Sequence, residues 1–255
     1  MKHLPNLLTL GNLFCGCIAI AFILNSQPFL AAFNGEEYWV TGTEQAYWGS
    51  IFIAIAAVCD LLDGFTARTL KIFSSIGKDL DSLADLVSFG VAPSMILFKM
   101  LWASYMGEPN AMDVEMLAMT PAFLVACFGA LRLARFNVTS TQQKTSFTGM
   151  PIPAVGIFVA SFPLINWYNP MGIGGYLQNK WVIYLVIALL CWLMVSKFRF
   201  IKFMPSKWKI AYFWPQLIIV LATAAAIPFI KIAAILLAFL LYVILSLIYN
   251  PKEQE

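Results

Sequence analysis

Long apolar runs joined by short polar connections dominate the chain. At eight places the run is long enough to cross about 30 Å of hydrocarbon as a helix, which takes roughly 17 to 20 residues. These runs lie near residues 5–25, 46–68, 80–104, 113–134, 152–168, 179–197, 211–227 and 230–249. The fifth and seventh are short, and Pro163, Pro215 and Pro228 interrupt the later ones, so six or seven spans stay open as counts. The pattern predicts an all-α integral membrane protein, a polytopic helical bundle of about eight transmembrane helices. The connections are too short to hold a soluble domain, so residues 1–255 read as one membrane domain. Residues 26–45, with Glu36, Glu37 and Glu44, read as an outer loop.

Composition agrees with the pattern. The 255 residues are 61% hydrophobic and only 11% charged, against roughly 25% charged in a soluble domain. Basic residues in short loops set orientation. With the N-terminus inside, 13 of the 16 basic residues fall on the inner side: Lys2, Arg68, Lys71, Lys78, Arg132, Arg135, Lys144, Lys197, Arg199, Lys202, Lys207, Lys209 and Lys252. Both termini are therefore expected on the cytoplasmic side of a multi-pass protein of the cell inner (cytoplasmic) membrane. The mixed basic and aromatic stretch 197–209 is explained by membrane lipids with anionic headgroups, without nucleic acid as a partner. Aromatics near expected span ends, among them Tyr38, Trp39, Trp102, Trp167, Tyr168, Trp208 and Trp214, read as interfacial anchors.

The first run is too long for a cleaved signal peptide, and its exit, Asn25-Ser26-Gln27-Pro28, lacks a small-x-small processing site. Cys15, Cys17, Cys59, Cys127 and Cys191 all sit in apolar runs without metal-type spacing and read as small buried hydrophobes. His3 is the only histidine. That excludes mechanisms requiring a histidine pair, including a covalent phosphohistidine.

Against this background one segment stands apart: Asp60-Leu61-Leu62-Asp63-Gly64-Phe65-Thr66-Ala67-Arg68, followed by Gly77-Lys78-Asp79-Leu80-Asp81-Ser82-Leu83-Ala84-Asp85. Each ionised carboxylate costs several kcal/mol when moved from water toward hydrocarbon, so a cluster of them requires a compensating charge. Asp60 and Asp63 share a helix face at three-residue spacing, and Gly77, Asp81 and Asp85 share one at four-residue spacing. A hairpin of the two helices would bring four carboxylates together. Oxygen-only ligands suit magnesium or manganese rather than zinc. Gly64, Ala67 and Gly77 leave room for a bulky ligand, and Arg68 is placed to clamp a phosphate oxygen. Interhelical salt bridges are a poor alternative, since five aspartates would face only Arg68, Lys71 and Lys78. Asp79 reads as a helix-start residue favoured by the N-terminal dipole.

The motif Asp-x2-Asp-Gly-x2-Ala-Arg-x8-Gly-x3-Asp-x3-Asp resembles in full the signature of the CDP-alcohol phosphotransferases. The resemblance implies that Asp60, Asp63 and Asp81 bind Mg2+ or Mn2+ with Asp85 beside them, and that Asp85 is the base activating the acceptor hydroxyl. It implies that Asp60, Gly64, Ala67, Arg68, Gly77 and Asp81 shape the CDP site. A catalytic core over 5–197 followed by a C-terminal transmembrane helix pair over 211–249 is expected, and the resemblance implies a homodimer.

Further stretches resemble the phosphatidylserine synthase branch: Pro5-Asn6-Leu7-Leu8-Thr9-Leu10-Gly11-Asn12, Ser88-Phe89-Gly90-Val91-Ala92-Pro93-Ser94, Gly129-Ala130-Leu131-Arg132-Leu133-Ala134-Arg135-Phe136-Asn137 and Phe147-Thr148-Gly149-Met150-Pro151-Ile152-Pro153-Ala154. That branch uses CDP-diacylglycerol and L-serine as substrates, and Arg132 or Arg135 could bind the serine carboxylate as a bidentate pair. Arginines that merely set topology are the competing reading for either one, and Lys144 and Asn137 are weaker candidates. The alternatives are the same transfer to glycerol 3-phosphate or an inositol compound, and a cation transporter. Transport calls for polar groups near the bilayer midplane, whereas these acids crowd its inner boundary.

Overall fold

The computed structural model describes residues 4–25, 29–33, 36–40, 43–70, 75–107, 113–139, 147–201 and 210–248. Lys2, His3, Lys71, Lys144, Lys202, Lys207, Trp208, Lys209 and Lys252 lie outside the described residues. The chain runs α1 (Leu4–Leu24), β1 (Phe29–Phe33), β2 (Glu36–Val40), α2 (Thr43–Leu70), α3 (Ser75–Asp85), a π-helical turn (Leu86–Val91) and α4 (Ala92–Met106). A 3-10 segment (Met116–Phe123) then leads into α5 (Leu124–Thr139), followed by β3 (Phe147–Thr148) and α6 (Ile152–Tyr168). The last part comprises α7 (Ile173–Leu177), α8 (Lys180–Val195), β4 (Arg199–Phe200), α9 (Ile210–Ile230) and α10 (Ala234–Ile248).

All eight expected apolar runs are mainly helical, but the span count differs from eight. Among the described residues five helices are long and apolar enough to cross a membrane, or six if the bent pair Pro170–Leu177 and Lys180–Val195, with 84° between its members, is one span. The expected fifth run forms α6, only 17 residues long and carrying Pro163. The last two runs make one apolar stretch, Trp214–Ile248, interrupted at Lys231 with φ +47°. Apolar run length reports what can enter lipid; it does not report where the backbone bends. The expected outer loop contains a two-stranded antiparallel hairpin, with Phe29 opposite Val40 and Phe33 opposite Glu36.

Helix α1 buries a single stripe, Pro5, Thr9, Asn12, Gly16, Ala19 and Ile23, at alternating spacings of four and three. It packs along α2 and also meets α3, the π turn and α4. Small residues permit this approach, as in other membrane helix pairs. A Cβ on Gly49 of α2 would lie 2.6 Å from Ile23 Cγ1, and one on Gly16 would lie 2.9 Å from the Ser88 Cα.

The π turn has a local cause. Pro93 has no N–H, and its ring would clash with the carbonyl four residues back in a regular helix. The chain widens there, with the Ala92 N–H reaching the Val87 carbonyl. The turn is buried through Ser88, Phe89 and Gly90. Ser94 then accepts from the Ala126 N–H at 3.1 Å, satisfying a donor in the first turn of α5. Around this junction α4 and α6 bury Ile96, Leu97, Leu101, Val155, Phe162 and Ile165.

The α6 backbone rides directly on the π turn, where a Cβ on Gly156 would sit 2.8 Å from Phe89 Cβ and 2.9 Å from its Cα. Gly156→Val should therefore destabilise the fold by about 1–3 kcal/mol, seen as a lower thermal midpoint in detergent. Gly175→Ala, whose added Cβ meets nothing within 4 Å, should leave the midpoint close to wild type.

Candidate active site

The polar residues of the α1 stripe face the acids. Thr9 Oγ1 lies 2.7 Å from Asp63 Oδ2 and 3.0 Å from the Pro5 carbonyl. Its single proton goes to one acceptor at a time, and the shorter contact favours the carboxylate. One turn further, Asn12 Nδ2 donates to Asp85 Oδ1 at 3.1 Å. The Asn12 carbonyl accepts from Ser88 Oγ at 3.0 Å, which ties α1 to the π turn just past Asp85. Asn12 and Ser88 are fully buried, and Asp63 and Asp85 are 6% and 8% exposed.

Helices α2 and α3 bring one oxygen each from Asp60, Asp63 and Asp81 within 4.8 Å of one another. Oδ1 of Asp81 is buried and accepts no hydrogen bond. Three converging carboxylates, one with an uncommitted buried oxygen, fit a hard divalent cation. The resemblance placed Asp85 beside these ligands. The structure leaves it outside the trio, one helical turn beyond Asp81, where the Asn12 amide holds one of its oxygens. Asp79 is not at a helix start: α3 begins at Ser75, which puts Asp79 in the second turn, exposed.

Gly64 and Ala67 of α2, and Gly77 in the first turn of α3, are partly exposed beside the acids. Arg68 is exposed, and its Nε donates to the Gly64 carbonyl at 2.9 Å. The two candidate arginines separate. Arg132 is 7% exposed, with its guanidinium 5.6 Å from the Phe136 ring centroid. Arg135, three residues on, lies on the exposed face of α5. Asn137 links α5 to α3: its carbonyl accepts from Lys78 Nζ at 2.8 Å, and its amide donates to Ser82 Oγ at 2.8 Å.

Thr9 and Asn12 were not expected as site residues. The visible signal was two polar side chains three apart on one face of an otherwise apolar helix, within a stretch already notable for its resemblance.

Apolar helices and a gathered acidic trio define a class: a polytopic membrane protein with a carboxylate site fit for a hard cation. The sequence model of the CDP-alcohol phosphatidyltransferase family matches residues 2–193, and the chain belongs to that family. It is similar to the Helicobacter pylori protein named CDP-diacylglycerol–serine O-phosphatidyltransferase, at 34% identity over 211 residues, covering 82% of this chain and 76% of that one. A Bacillus subtilis protein of the same name is 32% identical over 205 residues, covering 80% of this chain and 92% of its own. One from Mycobacterium tuberculosis is 28% identical over 256 residues, covering 95% of this chain and 77% of its own.

A hydrogen bond to an ionised group contributes about 1.5–3 kcal/mol, so losing one that holds a reacting carboxylate should slow turnover by about 10- to 100-fold. Asn12→Ala should show this as a fall in kcat, with manganese affinity, measured by direct titration, changed less than by Thr9→Val.

Proposed function

We propose that the chain transfers the phosphatidyl group of CDP-diacylglycerol to the hydroxyl of L-serine, giving phosphatidylserine and CMP. The observation that carries this reading is the Asp60, Asp63 and Asp81 trio, with Asp85 held one turn away by Asn12. A pyrophosphate needs positive charge to approach such acids, and Mg2+ or Mn2+ held by the trio would supply it and withdraw charge toward the CMP leaving group. Gly64, Ala67 and Gly77 leave space beside the acids, and Arg68 is the nearby cation for a phosphate oxygen.

In this reading CDP-diacylglycerol enters sideways from the inner leaflet with its acyl chains still in lipid. Asp85 takes the serine hydroxyl proton as that oxygen bonds to the phosphorus nearest the diacylglycerol, and the bond from that phosphorus to the CMP oxygen breaks. Positioning and charge neutralisation carry such chemistry, and no protein nucleophile is required. Arg132, buried where Arg135 is exposed, is the arginine assigned here to the acceptor's carboxylate. The names of the relatives support serine as that acceptor. The basic residues of the inner loops support a cytoplasmic site and an N-terminus inside an inner membrane. The family resemblance supports a homodimer.

The decisive assay is CMP release by detergent-purified protein given CDP-diacylglycerol and either cation, with serine, glycerol 3-phosphate and inositol offered separately. Release with serine, abolished by EDTA and restored by added metal, is expected. Release only with another alcohol would overturn the acceptor, and metal uptake into vesicles without CMP release would favour transport.

Asp85→Asn should bind CDP-diacylglycerol but lose about 10²–10⁴-fold in turnover, the usual worth of a general base. Asp60→Asn should lose metal-dependent binding as well. Wild-type turnover in folded Asp85→Asn protein would remove Asp85 from the role of base. Arg132→Lys, which forfeits a bidentate fork, should raise the serine KM by about tenfold, and Arg135→Lys should raise it less.

A further inference from the structure

Two asparagines from different helices take hold of α3 on either side of Asp81. Asn12 of α1 holds Asp85, one turn beyond it. Asn137 of α5 takes the other end. Its amide donates to Ser82 Oγ, next to Asp81, at 2.8 Å, and its carbonyl accepts from Lys78 Nζ, one turn before Ser82, at 2.8 Å. Ser82 Oγ in turn donates to the Lys78 carbonyl at 3.2 Å. The serine hydroxyl thus gives its proton to Lys78 and a lone pair to the Asn137 amide, and the three residues close a ring of hydrogen bonds between α3 and α5.

The ends of both helices favour this contact. Asn137 lies in the last turn of α5, where backbone carbonyls have no partner within the helix. A cation there satisfies a carbonyl and meets the negative end of the helix dipole, and Lys78 does both. On α3, Lys78 and Ser82 are four apart and share one stripe, while Asp81 and Asp85 form the stripe beside it. The ring therefore grips α3 on the stripe next to its acids.

Convergence of the trio depends on how α3 is turned. Asp60 and Asp63 share α2, so one helix sets their separation, whereas Asp81 reaches them from another. A carboxylate at the rim of a helix lies about 5–6 Å from the axis, so a turn of α3 by about 20° moves the Asp81 oxygens by about 2 Å. That is the length of a whole Mg2+ to oxygen bond, about 2.0–2.1 Å, and Mg2+ demands near-ideal octahedral geometry. Ca2+ binds oxygens at about 2.3–2.6 Å in flexible geometry and tolerates such a displacement far better.

We infer that Asn137 is a positioning residue for the cation site: through Ser82 and Lys78 it fixes the rotation of α3, so that Asp81 meets Asp60 and Asp63 in the geometry a small hard cation requires. The inference rests on the reading of the trio as a cation site. It assigns Asn137 to the cation and not to the acceptor alcohol, and the two roles separate by experiment.

The test titrates Mg2+ and Ca2+ separately into full-length, detergent-purified protein stripped of metal with EDTA. Asn137→Ala, which removes the amide and keeps the backbone carbonyl, should weaken Mg2+ binding by about three- to tenfold, the worth of one hydrogen bond between neutral groups. Ca2+ binding should weaken by less than about twofold. Ser82→Ala should give the same selective loss, and the double variant no more than either alone, because each removes the same bond. In CMP release, Asn137→Ala should need more Mg2+ for half-maximal rate, with the serine KM at saturating Mg2+ within about twofold of wild type. Equal Mg2+ affinities in variant and wild type would overturn the inference, and so would equal losses of Mg2+ and Ca2+ binding, which indicate general loosening. A raised serine KM at saturating Mg2+ would place Asn137 on the acceptor and overturn it as well. If Asn137→Ala does not fold, Ser82→Ala tests the same bond, and no selective loss there would overturn the inference equally. A wild type that binds no Mg2+ would overturn the trio as a cation site and this inference together. A wild type that binds Mg2+, with unaltered Asn137→Ala and Ser82→Ala variants, would overturn this inference alone.

Discussion

Ionised carboxylates cost several kcal/mol each near hydrocarbon, and this fold gathers three of them, Asp60, Asp63 and Asp81, with Asp85 one turn beyond Asp81. Two side chains of α1 answer that cost. Thr9 donates to Asp63, Asn12 donates to Asp85, and the Asn12 carbonyl takes the Ser88 hydroxyl so that the π turn stays against α1. The Asp81 oxygen left without a donor fits a cation better than a protein group.

Backbone approach is the second constraint, and it serves the first. Hydrogen bonds of about 3 Å between α1, α2 and the π turn require small residues along the contact. Gly16 and Gly49 provide them, and Gly156 does the same where α6 meets Phe89. The π turn before Pro93 widens the helix between the acidic α3 and the buried α4. The same residue that prevents a regular helix therefore accompanies the change from the polar α3 to the apolar, buried α4.

The two acidic pairs were legible in the sequence because helical spacing alone puts Asp60 beside Asp63, and Asp81 beside Asp85. Membrane embedding was legible because apolar run length is a one-dimensional property. Contacts between distant residues were not: Thr9 meets Asp63 across 54 positions, and Asn12 meets Asp85 across 73. Nor could spacing tell Arg132 from Arg135, since which of the two is buried depends on the rotation of α5 against its neighbours. By itself the sequence determined the class of fold, the acid cluster and the family signature, all carried by local periodicity. Only the tertiary structure decided that Asp60, Asp63 and Asp81 converge without Asp85, that α1 supplies Asp85 a partner, and that α10 reaches Ile201, because side-chain contacts depend on where helices cross rather than on where they fall in the chain.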